Sequence, residues 1–394
     1  MRSAFIKDRR KVGSKDSIEI CRTAFSVDGL STQDELFAVR LLELARLAAP
    51  QGNRVAFVQS CENGRIRRFL ERFSDVWEQI TDKPVREGIA SEQEYASKWS
   101  AYSLQSAAFQ ELVKSQLDLA EIRHLWLGGL SLAHLLYGDI SEREFHGLQL
   151  LVSPQDVAQT QKILRGIGFA TPSSLGEGQK RALVRWGHQE SFRHDQTDLS
   201  LSLQWRLFSP WIGRDLRPFD DLFAHARDLS WEGLSDWTTL GEADTILYLA
   251  MTGYESGWSR MQRLLDLAVA LESLDYTWDQ VKALAGPRAV LLERAVEMTV
   301  RLLGIPHPQK MTYHFSDYEH TLASWMEWQK NQETPGRELL SAGYWSCEPS
   351  QALRYRFEAA LTPEPEVIRE VALPDRFSFL YPLIHILRLL WRRD

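Results

Sequence analysis

Acid pairs, histidines and glycine turns are the residues of this chain whose types and spacing could do chemistry. Glu142 and Glu144 stand two apart. Carboxylates at i and i+2 of a strand point to the same side, where they can present hard oxygen ligands to Mg²⁺. Both acids precede the apolar run of residues 147–152, so they are read as solvated charges of its leading loop. Asp198 shares a strand face with Ser202, but four residues at about 3.3 Å each place it roughly 13 Å away. His188, Glu190 and His194 could ligate a metal, yet their place around the polar turn 194–197 favours exposed hairpin polarity. Ser131 has neither a GxSxG context nor a placed base, so no nucleophile is assigned to it.

These residues need elements to position them, and the densest signals lie in residues 125–152, LWLGGLSLAHLLYGDISEREFHGLQLLV. The stretch reads as an apolar strand at 125–127, a Gly128-Gly129 turn, a helix at 130–137, a charged loop and a strand at 147–152. That is the layout of a nucleotide-handling unit. A glycine pair at a helix start can aim backbone N–H groups at a phosphate or serve a tight turn, and both readings stand. Where two metal-binding acids would alternate along the second strand, the chain carries Gly147 and Gln149.

A later strand at 199–207 alternates Leu199, Leu201, Leu203 and Trp205 against Ser200, Ser202, Gln204 and Arg206. One face is therefore core and the other lines a cleft. Its hairpin partner is expected at 185–192. Between these strands, Pro154 at a first helical turn starts a helix that ends near residue 167, and residues 169–183 read as loop. Upstream, helical spacing marks residues 31–47, 64–80 and 91–121, with a loose start or edge strand near 17–25. Downstream it marks 243–254, 260–274, 287–303 and 320–329. Asp266, inside an apolar helix, is read as a buried partner of Arg260 or Arg263. The C-terminal residues 377–394 carry an apolar stripe with a basic end; they are read as a helix closing on the helical domain, with contact to a membrane surface as the alternative.

The pattern predicts an α+β fold with a mixed β-sheet core and flanking helical domains: a mainly helical region at 1–118, the α/β core at 119–235, and a helical domain at 236–394. A net charge of −7 argues against broad nucleic-acid binding, which draws on clustered Lys and Arg. Cys21, Cys61 and Cys347 are far apart and show no ligand spacing, which suits reduced thiols in the cytoplasm. No run approaches the roughly 20 apolar residues of a membrane span. The 14 tryptophans point to helix packing contacts.

With these segments in view, the chain resembles the uncharacterised nucleotidyltransferase family associated with polysaccharide and ribosomal-peptide biosynthesis, from about residue 98 to the C-terminus. Family members carry a strand ending in Lys-Gly, a helix with a Tyr near its end, an Arg, and an Asp-x-Asp strand followed by Leu-Val. The matching residues here are Gly128-Gly129, Tyr137, Arg143 and residues 147–152. The family's Asp-Leu-His-Trp strand corresponds to Ser202, Leu203, Gln204 and Trp205. Its helical segment corresponds to Trp258, Arg260, Leu264 and Asp266, with Thr252 and Ser256 at its histidine positions, and its ending corresponds to residues 373–374, 379–381 and 387–390.

The resemblance implies a nucleotidyltransferase-like core whose functional positions, Gly128, Gly129, Gly147, Gln149, Ser202 and Gln204, have lost their acids and bases. It implies a catalytically degenerate protein without a cofactor or metal. Such a protein would bind a peptide, a metabolite or a pathway enzyme in a biosynthetic pathway, with Arg206, Trp205, Trp258 and Asp266 as candidate ligand-binding residues. The alternative is an active enzyme that binds Mg²⁺ and a nucleoside triphosphate through the displaced acids Glu142, Glu144 and Asp198.

Overall fold

The computed structural model of the protein describes residues 86–141, 143–171, 175–197, 199–213, 216–231, 235–256, 258, 261–303, 305, 308–309 and 349–391. The helices expected at 31–47, 64–80 and 320–329 and the strand near 17–25 lie outside the described residues, as do Glu142, Asp198 and Arg260.

A long helix α1 (Arg86–Leu119) leads into β1 (His124–Trp126), α2 (Gly129–Tyr137) and β2 (Leu148–Val152). Then come α3 (Val157–Gly166), β3 (Phe169–Ala170), α4 (Glu177–Trp186), β4 (Gln189–His194) and β5 (Ser200–Gln204). Two short helices, α5 (Pro210–Gly213) and α6 (Phe219–Ala224), precede β6 (Arg227–Leu229) and β7 (Trp237–Thr239). The helical part follows: α7 (Glu242–Glu255), α8 (Met261–Ser273), α9 (Trp278–Ala285), α10 (Ala289–Leu303), α11 (Pro349–Ala360), α12 (Pro365–Glu370) and α13 (Tyr381–Trp391).

The strands form one mixed seven-stranded sheet in the order β3-β4-β5-β2-β1-β7-β6. Together with its helices it is the α+β architecture that the periodicities predict. At its centre β2 runs antiparallel to β1 and parallel to β5. Because strand side chains alternate between faces, Leu125, Leu127 and Leu151 join α7, α8 and α10 in one core. Trp126, Leu148, Leu150, Leu201 and Leu203 pack the opposite face against α1, α3 and α4. The apolar and polar alternation of residues 199–203 is thus the division between a buried core and the cleft described below.

Several local expectations are corrected. Residues 177–186 form α4 rather than loop, although Gly176 and Gly178 read as breakers. Distant contacts hold it: Gln179 Nε2 donates to the carbonyls of Ile368 and Arg369, and Trp186 Nε1 to that of Ser378 (2.9, 3.0 and 3.0 Å). The strand after it accordingly begins at Gln189. Helix α9, absent from the periodicity reading, starts where the Thr277 hydroxyl accepts the Gln280 N–H, an ordinary N-cap. The tail does not close on the helical bundle alone. Val367, Ile368 and Tyr381 belong to the core on the other side of the sheet, where the Tyr381 hydroxyl donates to the Val371 carbonyl at 2.8 Å. No helix among the described residues is long and apolar enough to cross a membrane.

Candidate functional site

A cleft of about 680 Å³ opens over the starting ends of β2 and β5, between the sheet and α7 and α8. Its floor is set by the strand register, which pairs Gln149 with Ser202 and Leu148 with Leu201. Gly147, Gln149, Ser200 and Ser202 therefore share one patch, with Gln189 and Ser191 of β4 beside it. Gly128 and Gly129 border it at the start of α2. Gly147 just before β2, Gln149 within it and Ser202 of its parallel neighbour thus lie together.

The floor is uncharged and closed on itself. The Tyr248 hydroxyl donates to Gln149 Oε1 at 2.7 Å, and the Ser202 hydroxyl to Gln189 Oε1 at 2.9 Å. Burial pushes the Tyr248 phenol up to about 12, so it stays a neutral donor through the physiological range. Gly147 has φ +136°, and a Cβ there would stand 2.9 Å from the Ser200 carbonyl carbon and closer still to its oxygen. The Ser200 hydroxyl also donates to the His146 carbonyl, fixing the two chains at this approach. At Gly128 a Cβ would meet Gln149 Cδ at 2.7 Å. The carboxamide has taken the space beside the turn.

The opposite wall is charged. Arg143 NH2 pairs with Asp266 Oδ2 at 2.9 Å, and its Nε reaches both carboxylate oxygens (3.1 and 3.0 Å). Tyr137 and Gln262 donate to the same carboxylate at 2.8 and 2.7 Å. Burial opposes the Arg143 charge, but the Asp266 charge and hydrogen bonds outweigh it and hold the guanidinium above its usual range. Arg263, one residue after Gln262 on α8, also lines the cleft, and burial lowers it. At the end of α7, Glu255 lines the cleft while one of its oxygens accepts the Ser209 N–H at 2.5 Å.

The sequence candidates divide between cleft and core. Gly128, Gly129, Gly147, Gln149 and Ser202 line the cleft; Gln204 is buried and does not. The expected cleft face of β5 stops at Ser202. Trp205 Nε1 and Arg206 both donate to the Val184 and Gly187 carbonyls, so these side chains brace the α4–β4 junction instead of facing a ligand. Trp258 is fully buried with φ +53°, its ring against Gly253 and 5.8 Å from Tyr254. Asp266 is buried as expected, and its ion-pair partner among the described residues is Arg143, not Arg263.

Two acid readings also change. Glu144 is not a solvated loop charge: it is 6% exposed and lines the cleft. Its neighbour Phe145 packs on Trp99 and Tyr102 at 5.0 and 5.6 Å and draws the loop inward. Glu190 and His194 are likewise buried rather than exposed hairpin polarity. Glu190 accepts from Gln161 Nε2 at 2.7 Å, and burial raises its carboxyl. His194 packs edge-on against Phe109 and Phe169. Burial lowers His188 against the opposing Glu255 charge, with the Arg206 charge adding to the burial. Among the described residues no three His, Cys, Asp or Glu side chains group as a metal set.

A mixed seven-stranded sheet flanked by helices is consistent with a nucleotidyltransferase-like fold. The family model described as uncharacterised nucleotidyltransferase matches residues 75–304, more than half of the chain, and the chain belongs to that family. The match begins before residue 98 and ends before the tail segments at 373–390. No curated protein matches the chain. The fold family implies Mg²⁺, which takes oxygen ligands in near-octahedral geometry, with carboxylates supplying the protein side. The floor offers a glycine, a carboxamide and a hydroxyl, the last two already hydrogen-bonded to neighbours. This donor set does not fit the metal.

Proposed function

We propose that this family member keeps the cleft as a binding site and has given up metal-assisted nucleotidyl transfer. It acts as a binding or partner protein in a biosynthetic pathway for a peptide natural product or a polysaccharide, in the cytoplasm. The observation that carries the reading is Gly147. Nucleotidyl transfer needs the charge developing on the α-phosphate held by Mg²⁺ and its carboxylates. At the first carboxylate position the backbone has φ +136° and lies against the Ser200 carbonyl, so no side chain enters without displacing β5. A single reverting substitution therefore does not restore the acid. Gln149 and Ser202 support the same reading through their neutral partners Tyr248 and Gln189.

The test is turnover. The protein is incubated with each of the four ribonucleoside triphosphates and Mg²⁺ or Mn²⁺, with pyrophosphate release followed continuously and the protein itself assayed for attached nucleotide. Neither product is expected above a boiled control. One observation favours a second reading, an active enzyme with displaced acids: Glu144 is buried at the cleft. Under that reading pyrophosphate is released in the presence of metal and the release disappears in Glu144→Ala.

A further inference from the structure

The cleft holds two opposite charges that do not meet. Neither a hydrogen bond nor an ion pair to Arg263 occurs among the described residues, although its guanidinium lines the cavity beside the paired Arg143. Glu255 lines the same cavity, close enough for its charge to act on Arg263, and its one hydrogen bond among the described residues is the Ser209 N–H. A desolvated guanidinium held apart from the half-buried carboxylate beside it bears that cost without the compensating contact. A ligand with a charge of each sign supplies both contacts at once.

The remaining charges narrow the ligand further. Arg143 is already neutralised by Asp266, while Glu144, Glu255 and Glu364 all line the cleft. A triphosphate without its metal would bring several negative charges to one uncommitted guanidinium that has the Glu255 carboxylate beside it. A ligand with a single anionic group and a cationic amine matches the charges instead. Arg presents a planar fork that takes a carboxylate side-on through two parallel N–H donors. Glu255 can accept an ammonium through the oxygen that Ser209 leaves open.

We propose that the cleft binds an α-amino-acid group, its carboxylate on Arg263 and its ammonium on Glu255. This rests on the reading above, that the cleft is a binding site without metal chemistry. The cavity volume is that of a drug-sized ligand, so the side chain of the amino acid lies toward the neutral floor, where Ser191 stands beside the paired Ser202 and Gln189.

The test uses the full chain and the twenty L-amino acids, each at millimolar concentration without divalent metal, first by thermal shift and then by titration calorimetry of any that stabilise. At least one is expected to bind saturably with one-to-one stoichiometry. Its amide and its N-acetyl derivative, each lacking one of the two charges, are expected to bind at least tenfold more weakly. Arg263→Met and Glu255→Gln should each lose tenfold or more. Arg263→Lys keeps the charge but not the fork and should fall between. Circular dichroism confirms that each variant is folded, and if Arg263→Met is not, Glu255→Gln and the two ligand derivatives carry the test. No stabilisation by any of the twenty, or equal affinity in the variants and for the derivatives, overturns the proposal. Triphosphate turnover with Mg²⁺ in the same preparation defeats the binding-protein reading instead, and leaves the amino-acid result to be judged separately.

Discussion

The two sides of the cleft solve the problem of buried polarity in opposite ways. On the strand side the polar groups are neutral, and three of them are paired with another neutral group: Gln149 with Tyr248, Ser202 with Gln189, Ser200 with the His146 carbonyl. On the helix side the charges remain, and the Arg143–Asp266 pair is satisfied by Tyr137 and Gln262 as well. Neutral pairs at the metal positions cost little to bury, whereas a half-satisfied charge costs a great deal. The contrast teaches that the floor has become a self-contained surface, while the wall still fixes the angle between α2, the loop before β2, and α8.

The strongest way to break this contrast is Asp266→Ala. It leaves a buried guanidinium and two donors without their acceptor, and a loss of about 3–5 kcal/mol in urea unfolding is expected. Next is Gly147→Asp, the substitution that would restore the first acid. Its positive φ and the Ser200 carbonyl predict destabilisation of about 2–3 kcal/mol rather than a gained metal site. Tyr248→Phe is smaller: one hydrogen bond goes and Gln149 Oε1 is left without its donor, about 1 kcal/mol. The same variant should lose the absorbance change of the phenol that burial pushes up to about 12.

Glu190→Gln sharpens the comparison from the strand side with the smallest effect, because it replaces a buried carboxyl on β4 by a neutral isostere. Burial raises the folded pKa of Glu190. Its contribution to stability is therefore fully present below the unfolded pKa and is lost as pH rises through the folded one. The variant should match the parent at acid pH and exceed it by about 0.5 kcal/mol at neutral pH, since Gln161 can rotate its amide to keep the hydrogen bond.

The floor was legible in the sequence and the wall largely was not. Period-two alternation placed Ser200 and Ser202 on one face, and the apolar run at 147–152 placed Gly147 and Gln149 on another strand's matching face. Only the parallel register brought Gln149 beside Ser202. The wall depends on long-range pairs. Arg143 and Asp266 are 123 residues apart, and local spacing on α8 pointed to arginines of the same helix instead. Glu144 reads as a solvated charge because charged residues before a strand commonly are; the adjacent Phe145, anchored by Trp99 and Tyr102, is the signal in the sequence that this loop turns inward. Arg263 and Glu255 carry no motif at all, and their facing positions follow from how α7 and α8 meet over the sheet. Helix α4 was missed for a related reason, since its contacts are to a tail nearly 190 residues on.

The most direct test of the neutral floor is Mn²⁺ titration followed by electron paramagnetic resonance, with and without a nucleoside triphosphate. The account predicts that the Mn²⁺ signal matches that of buffer, or of the metal–nucleotide complex alone, at every protein concentration. A stoichiometric protein-bound Mn²⁺ signal that is lost in Glu144→Ala would contradict it.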